Sequence, residues 1–218
     1  MKSKFNEVEK LEMPMVEIEK MLNVFLLRTT KGYSQYELSF LLGQEDFYVR
    51  KIEDIHHTLE YKIEKSNILR QIFNCGFPAI VPNTNVTPRY KIYILEHKDE
   101  TGNTTYKAEK RFEDGTVKEI ATFADEEKEV LLPSTSIVTE EEVTTWVLAK
   151  CQTDYFNTSK TALQIFKDCE AELDQPIRPL FLANALKTCN GTKEKPKINK
   201  KKDDNARFVF SFDKFTTL

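Results

Sequence analysis

Apolar residues recur at the spacing of α-helices through residues 14–75. Positions three and four apart are apolar in four successive stretches, which indicates four helices that each bury one face. Gly32 and Gly43 lie where the first and second helices would end, because glycine readily adopts the left-handed conformation that terminates a helix. Ser34 and Glu37 have the spacing of a capping box at the start of the second helix. The marker residues are Val16, Met21, Val24 and Phe25; then Leu38, Leu41 and Leu42; then Phe47, Val49, Ile52 and Ile55; and finally Ile63, Ile68, Leu69, Ile72 and Phe73.

The pattern changes after residue 75. Residues 76–88 contain three prolines, which lack an N–H group and restrict the preceding residue, so this stretch is predicted to be a linker. Residues 89–124 hold three β-rich runs separated by "KDETGN" and "EDG", and they predict a three-stranded antiparallel meander. One face would carry Tyr106, Ala108 and Phe112, and the wet face would carry Lys107, Glu109 and Arg111. So small a sheet is expected to pack on a helix.

The last part of the chain returns to the helical period. Residues 125–138 are predicted to connect the sheet to a helical, winged-helix-like domain at 139–218. Thr139 and Glu142 have the spacing of a capping box at the first helix start. Two further helices and a hairpin follow, the hairpin ending in a strand with Phe208, Phe210 and Phe212 on one face. The predicted fold class is therefore α+β: an all-α N-terminal domain at 14–75, a small sheet and a winged-helix-like unit.

The helical region around "KGYSQYELSFLLG" carries a recognisable combination of residues. The combination is Arg28, Gly32, Ser34, Gln35, Leu38, Ser39, Leu42, Gly43, Val49, Ile52 and Glu53. With these residues the chain resembles the helix-turn-helix of the phage-repressor/Cro (Xre-like) family over residues 16–75. The resemblance implies that Gln35, which follows a capping Ser34 at the start of the second helix, contacts DNA, and Ser34 is a candidate DNA-binding residue with it. It also implies a recognition helix at about 46–55 that enters the major groove. The outward positions of this helix would be Asp46, Phe47 or Tyr48, Arg50, Lys51 and Asp54.

Three residues depart from the family pattern at the start of this recognition helix. Gln44 stands where a buried aliphatic residue is usual, Glu45 replaces the usual Ser or Thr cap, and Asp46 follows it. A carboxylate stabilises a helix N-terminus, because it meets the unpaired N–H groups and the helix dipole. The same place is where a phosphate would bind, so the two acids oppose the approach of DNA.

Charge is unevenly distributed along the chain. The 218 residues have a net charge of −3, and residues 1–75 hold 11 Lys and Arg against 12 Asp and Glu, a net of −1. Residues 187–207 hold eight Lys and Arg against three acids, a net of +5. Because phosphate contacts dominate affinity for DNA, we expect Lys200, Lys201 and Lys202, near the tip of the C-terminal hairpin, to supply phosphate contacts that the N-terminal region lacks.

Other chemistry has little support. The sequence contains none of the common nucleotide-binding, hydrolase or metalloprotease motifs, so we expect no catalytic residues, no cofactor and no enzyme activity. His56 and His57 are adjacent and therefore face apart on a helix, which makes them poor joint metal ligands. The four cysteines are far apart and are expected to be free buried thiols. There is no signal peptide and no long apolar run, so a cytoplasmic protein without membrane contact is expected.

Two functions from different classes fit these features. The first is a transcriptional regulator that binds double-stranded DNA, as a homodimer that spans two half-sites. The chain also resembles bacterial proteins that join a repressor-like helix-turn-helix to a variable tail of strands and helices. The alternative is a protein-interaction module, antitoxin-like or a scaffold, that uses the acidic helix-turn-helix to bind a partner.

Overall fold

A computed structural model describes residues 6–8, 14–82, 90–124, 138–189, 191 and 196–212, with 6–8 described as backbone only. The fold is α+β, as the hydrophobic pattern predicts. In chain order the described elements are β1 Asn6–Val8, α1 Met15–Thr30, α2 Gln35–Leu41, α3 Tyr48–Glu53, α4 Ile63–Phe73, β2 Tyr90–Lys98, β3 Thr104–Phe112, β4 Val117–Ala124, α5 Glu140–Cys151, β5 Lys160–Thr161, α6 Ala162–Leu173, α7 Pro179–Thr188, β6 Ile198–Lys202 and β7 Phe208–Phe212.

The chain divides into two compact units, and both are discontinuous in sequence. The first unit comprises Met1–Gln35 and Val49–Leu132, and the second comprises Tyr36–Tyr48 and Pro133–Leu218. The N-terminal domain expected at 14–75 is therefore not one of these units. Helices α1 and α4 belong to the first unit with the sheet, whereas α2 belongs to the second.

The sheet of the first unit is antiparallel and four-stranded, in the order β1-β2-β3-β4. Strands β2, β3 and β4 form the predicted meander. Its second turn contains the expected Asp-Gly pair, in which Gly115 has φ +85° and the Asp114 carboxylate accepts a hydrogen bond from the backbone N–H of Thr116 at 2.8 Å. Strand β1 extends the predicted three strands to four by pairing with β2.

Helix α1 packs on this sheet. The ring of Phe25 lies 4.8 Å from that of Phe123, which in turn lies 5.7 Å from Tyr106. At the polar edge of the contact, Glu19 accepts hydrogen bonds from the Tyr90 hydroxyl at 2.7 Å and from the Lys110 amine at 2.5 Å. The expected helical neighbour of the sheet is thus α1.

The face assigned to water differs from the prediction at Glu109. This residue is 5 % exposed, and it follows a register shift between Ala108 and Glu109 in the β3–β4 pair. Its carboxylate accepts a hydrogen bond from Arg111 at 2.7 Å and lies 3.3 Å from the amine of Lys107. Burial alone would raise the pKa of Glu109, but the bonds from the two cations bring it below its usual value.

The second unit contains the winged-helix order of elements. Helices α5, α6 and α7 precede the β6–β7 hairpin, and the short strand β5 pairs with β7 to give the sheet order β5-β7-β6. Strand β5 is an addition to the predicted elements. The capping box at the start of α5 is confirmed, because the Thr139 side chain accepts from the N–H of Glu142 while the Glu142 carboxylate accepts from the N–H of Thr139.

The two predicted connecting segments have different outcomes. In the expected linker 76–88, residues Phe77–Ala79 form one 3₁₀ turn, and Ile80 is fully buried with its carbonyl accepting from the Asn23 amide at 3.3 Å. This part packs within the first unit, and residues 83–88 lie outside the described residues. The expected connector at 125–138 also lies outside the described residues, apart from Val138.

Candidate nucleic-acid interface

The turn between α2 and α3 depends on Gly43. Its φ is +65°, and its N–H donates to the carbonyl of Phe40 at 2.9 Å after the last turn of α2. A Cβ at this position would lie 3.2 Å from the carbonyl oxygen of Phe208 and 3.2 Å from the Cβ of Arg207. Glycine is therefore required twice, once by the left-handed backbone and once by the close approach of the hairpin.

Helix α3 is shorter than the recognition helix expected at 46–55. It spans Tyr48–Glu53, and the chain before it forms a turn in which the Tyr48 N–H donates to the Glu45 carbonyl at 2.9 Å. Val49 and Ile52 are fully buried, and Glu53 is 2 % exposed. A glutamate on the buried side leaves less helix surface for recognition than the sequence suggests.

The residues expected to face DNA differ in exposure. Arg50 and Lys51 are exposed, Tyr48 is half-buried, and Phe47, just before the helix, is 62 % exposed. Exposed cations can contact the phosphates of a duplex, and an exposed aromatic side chain can contact the edges of bases or pack against a protein partner.

Gln35 is not at the surface. It is 6 % exposed, and its side-chain amide donates to Oε2 of Glu53 at 2.8 Å. Arg28 binds the same carboxylate at two points, with Nε 2.8 Å from Oε1 and Nη2 2.6 Å from Oε2. In this arrangement Gln35 completes a buried polar cluster rather than reaching outward, whereas Ser34 beside it remains half-buried.

Glu45 and Asp46, the two acids before α3, form ion pairs with lysines of the C-terminal hairpin. The amine of Lys202 lies 2.9 Å from the Glu45 carboxylate, and that of Lys200 lies 3.9 Å from the Asp46 carboxylate. These side chains are 43–68 % exposed, so each pair contributes at most about 1 kcal/mol to stability. The pairs nevertheless balance the two negative charges at the start of the candidate reading element.

The lysines do not lie in the tip of the hairpin. Lys200, Lys201 and Lys202 belong to strand β6, and the turn that follows begins at Asp203. The Asp203 carboxylate accepts from the backbone N–H groups of Asn205 at 3.0 Å and Arg207 at 2.8 Å. Aspartate is well suited to this turn chemistry, which explains why the chain reverses at "DDNA" rather than at the lysines.

The strand position divides the three lysines between two faces. Successive residues of a β-strand point to opposite sides, so Lys200 and Lys202 share one face while Lys201 lies on the other. Lys200 and Lys202 also lie over the ring of Phe208, at 4.0 and 5.1 Å from its centroid. The three lysines are therefore not equivalent, in contrast to what the sequence suggests. Lys200 and Lys202 form ion pairs with Asp46 and Glu45, and Lys201 lies on the opposite face.

Helix α2 is held within the second unit by a buried ion pair that sequence reasoning missed. Glu37 is fully buried, and its Oε1 accepts from Arg178 Nε at 2.9 Å and from the N–H of Leu180 at 3.2 Å. The spacing of Glu37 from Ser34 predicts a local capping partner, not a distant one. The only signal in the sequence for the ion pair is an arginine directly before Pro179, far along the chain.

Metal, cysteine and membrane features add little to this site. No group of three or more His, Cys, Asp or Glu side chains within the described ranges could hold a metal ion. The cysteines are free, with Cys151, Cys169 and Cys189 buried and Cys75 half-exposed. In the part of the chain that the structure covers, no helix is both long and apolar enough to cross a bilayer.

Comparison with protein-family models, with curated proteins and with solved structures finds no significant match to this chain.

Proposed function

We propose that this protein is a cytoplasmic DNA-binding regulator of transcription whose reading element is helix α3 with the turn before it. The observation that carries the proposal is the pairing of Glu45 with Lys202 and of Asp46 with Lys200. Unpaired, the two acids would repel phosphates at the helix start. When the two acids are paired with lysines, Arg50 and Lys51 are the exposed charges of α3 that can contact a duplex.

The resemblance to the phage-repressor/Cro family supports the same conclusion. Gly43 and the buried Val49 and Ile52 keep the turn and the packed face that the resemblance requires. Affinity from one copy is expected to be low, because the local charge is balanced and phosphate contacts dominate binding. A homodimer on two half-sites would raise it through avidity.

The direct test is fluorescence anisotropy with a pool of genomic duplex fragments at about 50 mM salt, where phosphate contacts are strongest. Replacing Arg50 and Lys51 together by alanine should weaken binding and lower the slope of log affinity against log salt by about 1 for each phosphate that the side chains had bound. Replacing Lys91 and Lys118, which are exposed in the β2–β4 sheet, makes the same change in net charge and is the matched control. Failure of the unaltered protein to bind any duplex would reject the proposal.

A protein-interaction module is the second candidate, and the exposure of Phe47 favours it. An aromatic residue that is 62 % exposed resembles the anchor of a protein interface. Under this reading the chain co-purifies with a partner, and Phe47→Ala releases that partner. Val117→Ala, at a site 53 % exposed on β4, is the control for removal of an exposed apolar side chain.

A further inference from the structure

The second unit contains a pocket with an apolar floor and a cationic rim. Its volume is about 290 Å³, and it is bounded by helix α2, helix α7 and the β6–β7 hairpin. Ala183, Leu186 and Phe210 form the floor and are at most 6 % exposed. The size is at the lower end of the range for small-molecule sites in proteins.

Aromatic rings line the wall between floor and rim. Phe40 of α2 lies 6.1 Å from Phe210, measured between ring centroids, and Tyr36 and Phe208 also border the pocket. Flat aromatic surfaces of this kind contact an alkyl chain or an aryl ring without requiring polar groups from it. The wall therefore suits an apolar body.

The rim carries three lysines and one acid. Lys187, Lys197 and Lys200 border the pocket together with Asp46, so the rim has a net charge of +2 from three positive groups and one negative. Lys187 lies over the ring of Tyr36, 4.9 Å from its centroid, and its hydrogen bond with the Tyr36 hydroxyl raises the pKa of its amine. Lys200 is held over Phe208, and its contact with Asp46 is long, at 3.9 Å.

We propose that this pocket binds a small amphiphilic carboxylate, with its apolar body against the aromatic wall and its carboxylate at Lys187 and Lys200. Two ammonium groups held over rings that line the same pocket can each donate a charge-assisted hydrogen bond to one anionic head group. The long Lys200–Asp46 contact leaves that amine able to turn toward the ligand at small cost. This inference concerns a ligand site and does not depend on whether the protein binds DNA.

The test uses three probes with the same eight-carbon tail: octanoate, 1-octanol and octylamine. Isothermal titration calorimetry on the full chain should give a Kd for octanoate below about 1 mM, within the affinity range of a ligand of this size. Octanol should bind about a hundredfold more weakly, since it forms neither of the two charge-assisted hydrogen bonds and each is worth about tenfold. Octylamine should bind most weakly, because the rim repels it.

Lysine variants locate the binding site. Lys187→Met and Lys200→Met should each weaken octanoate binding about tenfold while leaving octanol binding unchanged. Lys201→Met is the matched control, since it removes a lysine from the same strand but outside the pocket lining, and it should change neither affinity. All three sites are exposed, and far-UV circular dichroism verifies that each variant is folded.

Three outcomes would overturn the proposal. The first is no octanoate binding to the unaltered protein. The second is equal affinity for octanoate and octanol, which would mean that the lysines play no part. The third is an equal decrease in octanoate affinity with Lys201→Met and Lys200→Met, which would mean that general surface charge attracts the anion.

Discussion

Arg28 and Glu53 are joined by two hydrogen bonds inside the first unit, with both side chains at most 2 % exposed. A buried pair of this kind is costly to break from one side, because the remaining carboxylate of Glu53 keeps only the neutral Gln35 amide as a partner and is shielded from water. We expect Arg28→Met to lower the free energy of unfolding by about 3–5 kcal/mol. Urea titration followed by far-UV circular dichroism measures this decrease.

The double variant Arg28→Met with Glu53→Leu is the control for that decrease. It removes both charges, so it should recover much of the stability that the single change removes. If the double variant is as unstable as the single one, packing rather than the uncompensated charge controls stability here.

Replacement of Gln35 distinguishes a structural role of this side chain from a DNA-contacting one. Its amide donates to the buried carboxylate of Glu53, so Gln35→Ala should destabilise the protein by about 1–3 kcal/mol. Because the side chain is buried, the duplex affinity of the folded variant should not change. A lower duplex affinity with unaltered stability would instead place Gln35 at the DNA.

Reversing the charges of Glu45 and Asp46 separates the two candidate functions. The double change to lysine removes two acids and releases Lys200 and Lys202 from their ion pairs. If the protein binds DNA, affinity at about 50 mM salt should rise at least about tenfold, with a steeper salt dependence. If the acids bind a basic partner, the same variant should no longer bind that partner.

The matched control for this charge reversal is Glu60→Lys with Glu64→Lys. Both residues are exposed and follow α3 in the chain, so the net charge changes equally. An equal gain of DNA affinity in the control would show that total charge, rather than the helix start, controls binding.

The capping box of α5 predicts a pH dependence on the acid side. The pKa of Glu142 is lowered below its usual 4.5, mainly because its carboxylate accepts the backbone N–H of Thr139. A carboxyl group whose pKa falls on folding stabilises the protein above its unfolded pKa, and this contribution disappears as the pH falls through the folded value. Unfolding measured from pH 6 to pH 3 should therefore show a smaller decrease in stability in Glu142→Gln than in the unaltered protein. Equal slopes would contradict this role.

The thiols predict a pattern of chemical reactivity. Cys75 is half-exposed, whereas burial raises the pKa of Cys169 to about 12 and suppresses its thiolate at neutral pH. Cys151 and Cys189 are buried with their sulfur atoms 4.0 Å apart. Titration with a chromogenic disulfide at pH 8 should give one fast thiol in the folded protein and four in denaturant. Cys75→Ser should remove the fast phase, and its persistence would mean that a buried thiol becomes accessible.

Local patterns predict the elements, and distant partners decide what several side chains do. The spacing of Val24 and Phe25 is enough to indicate α1, and Asp114 with Gly115 is enough to indicate a hairpin, because both signals lie within a few residues. The burial of Gln35 has no such local signal. It depends on the Arg28–Glu53 pair, which forms only when α1 and α3 are both in place.

The partners of the two acids are also beyond local reasoning. The sequence marks Glu45 and Asp46 as unusual at a helix start, and it places the lysine run within a hairpin. That the two meet depends on pairing between segments far apart in the chain, which has no periodic signature. The lysines are expected at the hairpin tip because a charged run resembles a turn, but the turn-forming residues begin at Asp203.

The discontinuous second unit has a consequence for the order of folding during synthesis. Residues Tyr36–Tyr48 leave the ribosome early, yet the residues that surround them in the finished unit begin at Pro133. Until the C-terminal part is synthesised, Glu37 lacks its partner Arg178 and Gly43 lacks its partner Phe208. Asp46 and Glu45 likewise lack Lys200 and Lys202. Until the hairpin emerges, a nascent chain carries α2 with its apolar Leu38, Leu41 and Leu42 lacking the rest of their unit. The chain is therefore most prone to bind chaperones or to aggregate after Tyr36–Tyr48 has been synthesised and before Pro133–Leu218 is complete.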